Sequence, residues 1–340
     1  MMLKSAARAL LCSVLLVAVL AASCWAAAAI WFDGPDSRLA AGLLAGSFLA
    51  TTWGAMLALW LQPRSFAIAG ILFAGVAIWW LSLEPSNDRA WQPDVALLPS
   101  AMIEGDTVTI RNLRNFDYRS ENDVTERWEE RRYDLSQLVG VDMYLCYWGS
   151  PWIAHTIASW EFTEGPHLAV SIETRKEANE AYSAVRGFFR QFELYYVIAD
   201  ERDVVRLRTN YRGDQCYLYQ LTTPPELARA VLLDYLGEIN RLARAPRWYN
   251  AVTHNCTTTI RYHAQHVGAG NPWDWRILAN GRIDELGWER GTVVRGGLSF
   301  EELRARSYIN DRAHAADSAP DFSTRLRMGL PPRHGPGIGS

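Results

Sequence analysis

Apolar residues crowd into three long runs at the start of the chain, Ala6 to Phe32, Leu39 to Leu61 and Phe66 to Leu83, and thin out abruptly afterwards. Each run reaches roughly 18 residues or more, enough for a helix to cross the hydrocarbon of a bilayer. From Glu84 onward charged and aromatic positions interleave with apolar ones, as in a water-exposed domain. Alternation there predicts strands over Val141 to Tyr147, Ile153 to Phe162, Leu168 to Thr174, Leu194 to Ile198, Val204 to Thr209 and Tyr217 to Leu221. Helical spacing predicts helices over Lys176 to Phe189, Pro225 to Leu242 and Thr257 to Val267, with Pro225 suited to a first turn.

The pattern therefore predicts three transmembrane helices followed by an α+β domain. Four stretches are expected: a membrane anchor at 1–83, a linker and accessory segment at 84–140, a domain at 141–315, and a tail at 316–340. The tail, ending in "PPRHGPGIGS", has the Pro, Gly and Ser content of a disordered segment. The charged run "ENDVTERWEERRYD" reads as a helical surface with paired charges.

Charge then orients the chain. Lys4 and Arg8 open the first run, whereas Glu84 and Asp88 follow the third, so the positive-inside rule expects a cytoplasmic N-terminus and a domain on the far side of the membrane. A cleaved signal ending in "SVLLVAVLAASC" is the rival for the first run, and it leaves the domain outside the cytoplasm as well. The net charge of −3 gives no basic bias toward nucleic acid.

In an exported compartment, disulfides persist. Cys146, Cys216 and Cys256 are an odd number there, so at least one thiol is left over from any pairing between them. Cys146 and Cys216 sit in aromatic, alternating runs that suit core positions, and whether they bridge is open at this point. Cys256, in "YNAVTHNCTTTIRYHAQHVG", stands where a helix begins, with Asn255 or a neighbouring hydroxyl able to cap it. The positive end of a helix favours thiolate, the nucleophilic form. A buried structural cysteine is the alternative.

A nucleophilic thiol needs a base, a group that orients the base, and donors for an oxyanion. Seven histidines are present: His155, His167, His254, His263, His266, His314 and His334. His155 lies mid-strand, on the face of Ile153 and Ile157, where a core histidine is also common. In "LAVSIETR" the apolar Leu168, Val170 and Ile172 point one way while Ser171 and Glu173 point the other. If the Gly165-Pro166 turn makes the two strands neighbours, Glu173 orients His155; otherwise it is a surface glutamate or a partner of Arg175. His263 and His266 alone are too few ligands for a metal site, and no CxxC pair, HExxH or Gly-rich phosphate loop is present. No metal or other cofactor is expected. Arg175, Arg206, Arg208 and Arg212 have the chemistry to meet a lipid phosphate, with a solvated strand face as the alternative. Tyr147, Trp148 and Arg175 are candidate substrate contacts.

The segments "GSPWIAHTI", "SIETR", "FELYYVIADERDVVRLRTNY", "YLYQLT" and "YNAVTHNCTT", in this order over about Val141 to Val267, resemble the Lnb-type family, associated with bacterial lipoprotein N-acyltransferases. The resemblance implies a circularly permuted papain-like, NlpC-related fold in the periplasm, held at the bacterial inner membrane. It implies Cys256 as nucleophile, His155 as base, Glu173 as orienter, and Asn255 and Thr257 as oxyanion or supporting groups. It also implies an acyl chain passing from a phospholipid, through a thioester, to an amine such as the N-terminus of a lipoprotein. Two other classes remain open: a cysteine peptidase or amidase of the same fold, and a non-catalytic binding module.

Overall fold

A computed structural model describes residues 2–59, 62–253 and 255–333. It divides into two compact units, one of residues 1–86 and 182–192, the other of 87–181 and 193–340.

Helices α1 (Met2–Asp33), α2 (Arg38–Ala58) and α3 (Pro63–Leu81) make up most of the first unit, and each contains a span long and apolar enough to cross a membrane. Their packing is the inverse of a soluble bundle. Small residues, among them Ser23, Ala26, Ala29, Ala41, Ala45 and Ala69, are buried between the helices, while Leu10, Val17, Leu39, Ile71 and Ile78 are exposed. That distribution suits helices whose backbones approach closely in lipid, where large apolar side chains lose nothing by facing outward. Residues 182–192 pack in this unit: Gln191 donates from Nε2 to Phe32 O and Asp33 Oδ1, both at 2.8 Å, and Phe189 stacks on Phe32.

The second unit is built on one mixed sheet. Its strands are β1 (Ser100–Glu104), β2 (Thr107–Arg114), β5 (Trp128–Asp134), β6 (Leu138–Tyr147), β7 (Ala154–Phe162), β8 (Leu168–Arg175), β9 (Glu193–Ala199) and β10 (Gln215–Gln220), and a separate small ladder pairs β3 (Asp117–Tyr118) with β4 (Val124–Thr125). The order across the sheet is β1-β2-β9-β8-β7-β6-β10, with β5 also paired to β2. Neighbours are antiparallel except β2 and β9, which meet in parallel at Arg114 and Ala199.

Helices cover both faces. Helices α5 (Pro225–Arg244) and α6 (Cys256–His266) lie on one, and α4 (Glu201–Arg206), α9 (Asn310–Ala315) and α10 (Phe322–Leu326) pack on the other. Shorter α7 (Ile283–Arg290) and α8 (Phe300–Ser307) complete the unit beside β10. Central strands covered on both sides bury nearly every side chain, as β8 and β9 do. Cys146 and Cys216 face each other across β6 and β10 and form a disulfide, which leaves Cys256 as the free thiol of this unit among the described residues.

Four sequence expectations are corrected. Val204 to Thr209 is helical, not a strand: Asp200 caps α4 by accepting from Arg202 N, and the chain continues as a π-turn over Leu207–Tyr211. The alternating arginines there are buried in ion pairs, Arg206 with Asp317 and Arg208 with Asp214, rather than solvated on a strand face. Lys176 to Phe189 is not an α-helix, because Lys176 and Ala178 bond to the backbone of Gln92 and Ala90, and only a 3-10 turn forms at Arg186–Phe188. The stretch 84–140 is more than a linker, since β1, β2 and β5 join the sheet. Its charged run is the strand β5 and not a helix: inward Arg131 pairs with Glu129 and Asp200, while outward Glu130 reaches across to Arg111.

The tail is also ordered as far as Arg333. Phe322 and Leu326 are fully buried, and Arg327 and Arg333 bring their charges to buried Asp142. Its glycine and proline content obscured these anchoring side chains. Residues 334–340 lie outside the described residues.

Candidate active site

Helix α6 begins with a reciprocal cap. Asn255 Oδ1 accepts from Thr258 N at 2.9 Å, and Thr258 Oγ1 accepts from Asn255 N at 3.0 Å. Cys256 is therefore the first residue of a well-capped helix, partly exposed, at the end where the peptide dipoles favour a thiolate.

The opposing side chains come from the sheet. Strands β7 and β8 pair from Trp160–Leu168 to Ile157–Ser171, and in the same register His155 comes level with Glu173 at the end where the pairing stops. His155 Nε2 lies 2.6 Å from Ser171 Oγ and 3.5 Å from Glu173 Oε1, while Ser171 Oγ donates to Glu173 Oε1 at 2.7 Å. With the Ser171 hydroxyl donating to the carboxylate, Nε2–H donates to Ser171 Oγ, so the neutral ring carries its free lone pair on Nδ1. Glu173 is in turn held by Arg208 Nη2 at 3.3 Å.

These contacts set the charges. Burial pushes the Cys256 thiol up, but hydrogen bonding and charge from His155, the Thr156 backbone N–H and the Thr257 hydroxyl bring it down to about 7. For His155, burial and nearby Arg208 favour the neutral ring, yet Cys256 and Glu173 outweigh them and raise it above its ordinary value. Glu173 is held well below the carboxylate range: burial opposes its charge, but the His155 hydrogen bond and the Arg208 and Arg212 guanidinium groups prevail. A thiolate facing an imidazolium is thus accessible near neutral pH.

Asn280 is a residue that sequence reasoning missed. Its Oδ1 accepts from Ala154 N at 2.9 Å, and its Nδ2 donates to Ala154 O and Thr257 Oγ1, each at 2.6 Å. Both amide protons are used, so although Nδ2 stands 3.8 Å from Cys256 Sγ, the side chain clamps the start of α6 to the start of β7 rather than offering a free donor. Nothing in "ILANGRID" signalled this, because the clamp depends on a fold that brings residues more than a hundred positions apart together.

Other candidates are placed differently. Asn255 is a cap whose Nδ2 also donates to Ala251 O at 2.8 Å, and Thr257 is buried beside Thr156 Oγ1 at 3.4 Å. Arg175 is buried, bonded to Val95 O and Ala96 O and stacked 4.2 Å from the Trp91 ring centroid, so it is not a substrate contact. Tyr147 is buried and donates to Gly281 O at 2.7 Å. Trp148 remains exposed, in the loop between β6 and β7. The phosphate reading of the arginines fails: Arg206 and Arg208 are paired as above, and Arg212 binds Glu121. His263 and His266 each turn Nδ1 to Asp234 at 2.6 Å, and His263 Nε2 meets Tyr196 Oη at 2.7 Å, which makes them packing residues of α6. His254 and His334 lie outside the described residues.

No curated protein and no solved structure matches the chain. Three apolar helices ahead of a domain of a periplasmic family fit a membrane protein with a periplasmic domain. Residues 124–281, which hold His155, Ser171, Glu173, Cys256 and Asn280, match the family model described as the Lnb N-terminal periplasmic domain.

Proposed function

We propose that the protein is a thiol acyltransferase of the bacterial inner membrane, N-terminus cytoplasmic and domain periplasmic, that moves an acyl chain from a phospholipid to an amine. The observation that carries this reading is a helix-start cysteine that hydrogen-bonds with His155, which Ser171 in turn links to Glu173. The order of histidine, acid and cysteine along the chain also supports a circularly permuted papain-like, NlpC-related fold.

The Cys256 thiolate attacks the ester carbonyl, forming the C–S bond and a tetrahedral oxyanion. Since the Asn255 and Asn280 side chains are engaged, the oxyanion is met by backbone N–H groups at the open first turn of α6. As the C–O bond breaks, His155 gives its proton to the leaving alkoxide, releasing a lysophospholipid. An amine then attacks the thioester, His155 takes its proton, and the thiolate leaves. A lipoprotein's N-terminal α-amino group, with a pKa near roughly 8, is partly neutral at ordinary pH and suits this step. No cofactor enters the cycle.

The test uses full-length protein in vesicles with a phospholipid labelled in its acyl chain and a lipopeptide bearing a free N-terminal cysteine. Label should pass to the lipopeptide amine with the wild type and not with Cys256→Ser or His155→Ala. Label released only as free fatty acid would favour a hydrolase, and equal transfer by Cys256→Ser would end both enzyme readings.

A further inference from the structure

Between α5, α6, α7 and the sheet face formed by β6 and β7 lies a cavity of about 440 Å3. Protein interiors are packed densely enough that voids much larger than a water are few, so a cavity of this size is a feature the fold maintains. Its walls are mainly apolar, with Trp160 from the sheet, Leu227 and Val231 from α5, Ile260 and Ala264 from α6, and Leu286 from α7. The wall includes Thr156 and Thr257, the next residues in the chain after His155 and Cys256. The lining then follows α6 from Thr257 to Ala264, roughly 10 Å along the helix, and on to Ala269.

The charged groups that touch it have other partners. Asp142 is paired with Arg327 and Arg333, Arg261 donates to Asn271 O at 2.5 Å, and Arg290 donates to Pro272 O at 3.1 Å. One polar residue is different: Tyr235 lines the cavity, its side chain is 1% exposed, and its buried hydroxyl has no hydrogen-bond partner among the described residues. An unpaired buried hydroxyl is costly and points to a ligand atom that completes it. The Cys256 charge also bears on this hydroxyl, which puts it toward the thiol.

We propose that this cavity seats the acyl chain of the Cys256 thioester, with the Tyr235 hydroxyl donating to the thioester's carbonyl oxygen. The proposal rests on the acyltransferase reading and adds to it the place and size of the chain. At about 30 Å3 per methylene-sized unit, the volume share of one water in the liquid, the cavity has room for on the order of 15 carbons. A chain is the occupant that fits, because the lining is apolar along its length, includes the residue after the nucleophile and has a single open polar valence.

Two measurements separate this proposal from the reading it rests on. Full-length protein in lipid nanodiscs is offered p-nitrophenyl butyrate or palmitate, and the hydroxylamine-sensitive mass on Cys256 is followed. Ala264→Trp and Val231→Trp, which fill the cavity from α6 and from α5, should slow acylation by palmitate about tenfold or more relative to butyrate. Iodoacetamide alkylation of Cys256 at the wild-type rate confirms that each variant is folded at the site. Separately, Cys256→Ala protein is irradiated with a diazirine-bearing palmitic acid, and the cross-links should fall on α5, α6 and α7 lining residues. Unchanged palmitate preference in both variants, with cross-links elsewhere, overturns the proposal while leaving the thioester intact. Cross-links in the cavity with no adduct from either ester would overturn the acyltransferase reading and keep the cavity as a chain site.

Discussion

The two faces of the central sheet bury polar groups in opposite ways. On the face covered by α4, α9 and α10, charges are matched almost to excess: Arg327 bonds Asp142 and Glu201, Arg333 reaches Asp142 and Glu161, and Arg114 holds Asp203 through its Nε and Nη2. The Glu201 carboxylate also accepts from Tyr144 at 2.7 Å and Ser159 at 2.6 Å. On the face covered by α5 and α6, an apolar cavity and the unpartnered Tyr235 hydroxyl remain. A network this densely paired fixes one arrangement, even with the Arg333 Nε left without a hydrogen-bond partner among the described residues. The other face leaves volume and a donor open beside the helix that carries Cys256, while His155, Ser171 and Glu173 stand on the charged face with Arg208, so the site lies where the two faces meet at the end of β7 and β8.

The sharpest way to break this comparison is to remove the nucleophile. Cys256→Ala should lower acyl transfer by on the order of 10³-fold or more, with no loss of thermal stability, measured as label passed to a lipopeptide amine and as the unfolding midpoint. On the charged face the result should invert. Arg327→Ala strands Glu201 without its arginine partner in a dry environment and leaves Asp142 to Arg333 alone, so denaturant unfolding should show a loss of about 3–5 kcal/mol. Protein that stays folded should keep its Cys256 alkylation rate. A variant that alkylated slowly yet unfolded normally would mean that the two faces are not separate in function.

A smaller effect sharpens the electrostatic part. Because the thiol is lowered to about 7, the thiolate grows in as pH rises through that value, and alkylation of Cys256 should be half-maximal there rather than near an ordinary thiol's roughly 8.5. His155→Ala removes the leading stabilising contact and should move the midpoint upward by about a unit or more. Smaller still is Ser171→Ala. With the relay hydroxyl gone, Glu173 remains 3.5 Å from Nε2, so the acylation rate should fall by about tenfold or less while the alkylation midpoint shifts only slightly.

Much of this site was legible in the sequence because its parts are local. Strand alternation put Ser171 and Glu173 on one face, the Gly165-Pro166 turn made β7 and β8 neighbours, and a polar cap followed by helical spacing placed Cys256 at a helix start. Elements stabilised by partners far along the chain were misread. Alternating Val204 to Thr209 imitates a strand, and only Asp117, Asp214, Glu173 and Asp317 reveal it as a helical turn with buried arginines. Charged β5 imitates a helix face until its partners on β2 are known, and the Gly- and Pro-rich tail hides Arg327 and Arg333. Asn280 and Tyr235 were missed for the same reason, since their roles come from what surrounds them and not from their own segments.

The central claim is that Cys256 carries an acyl thioester. Its most direct test is the intact mass of the full-length protein taken from native membranes in mild detergent, with and without hydroxylamine, beside Cys256→Ala. The account predicts a fatty-acyl increment that hydroxylamine removes and the variant lacks. A wild type with no such increment, and with no labelling of Cys256 after incubation with a thiol-reactive lipid ester, would contradict it.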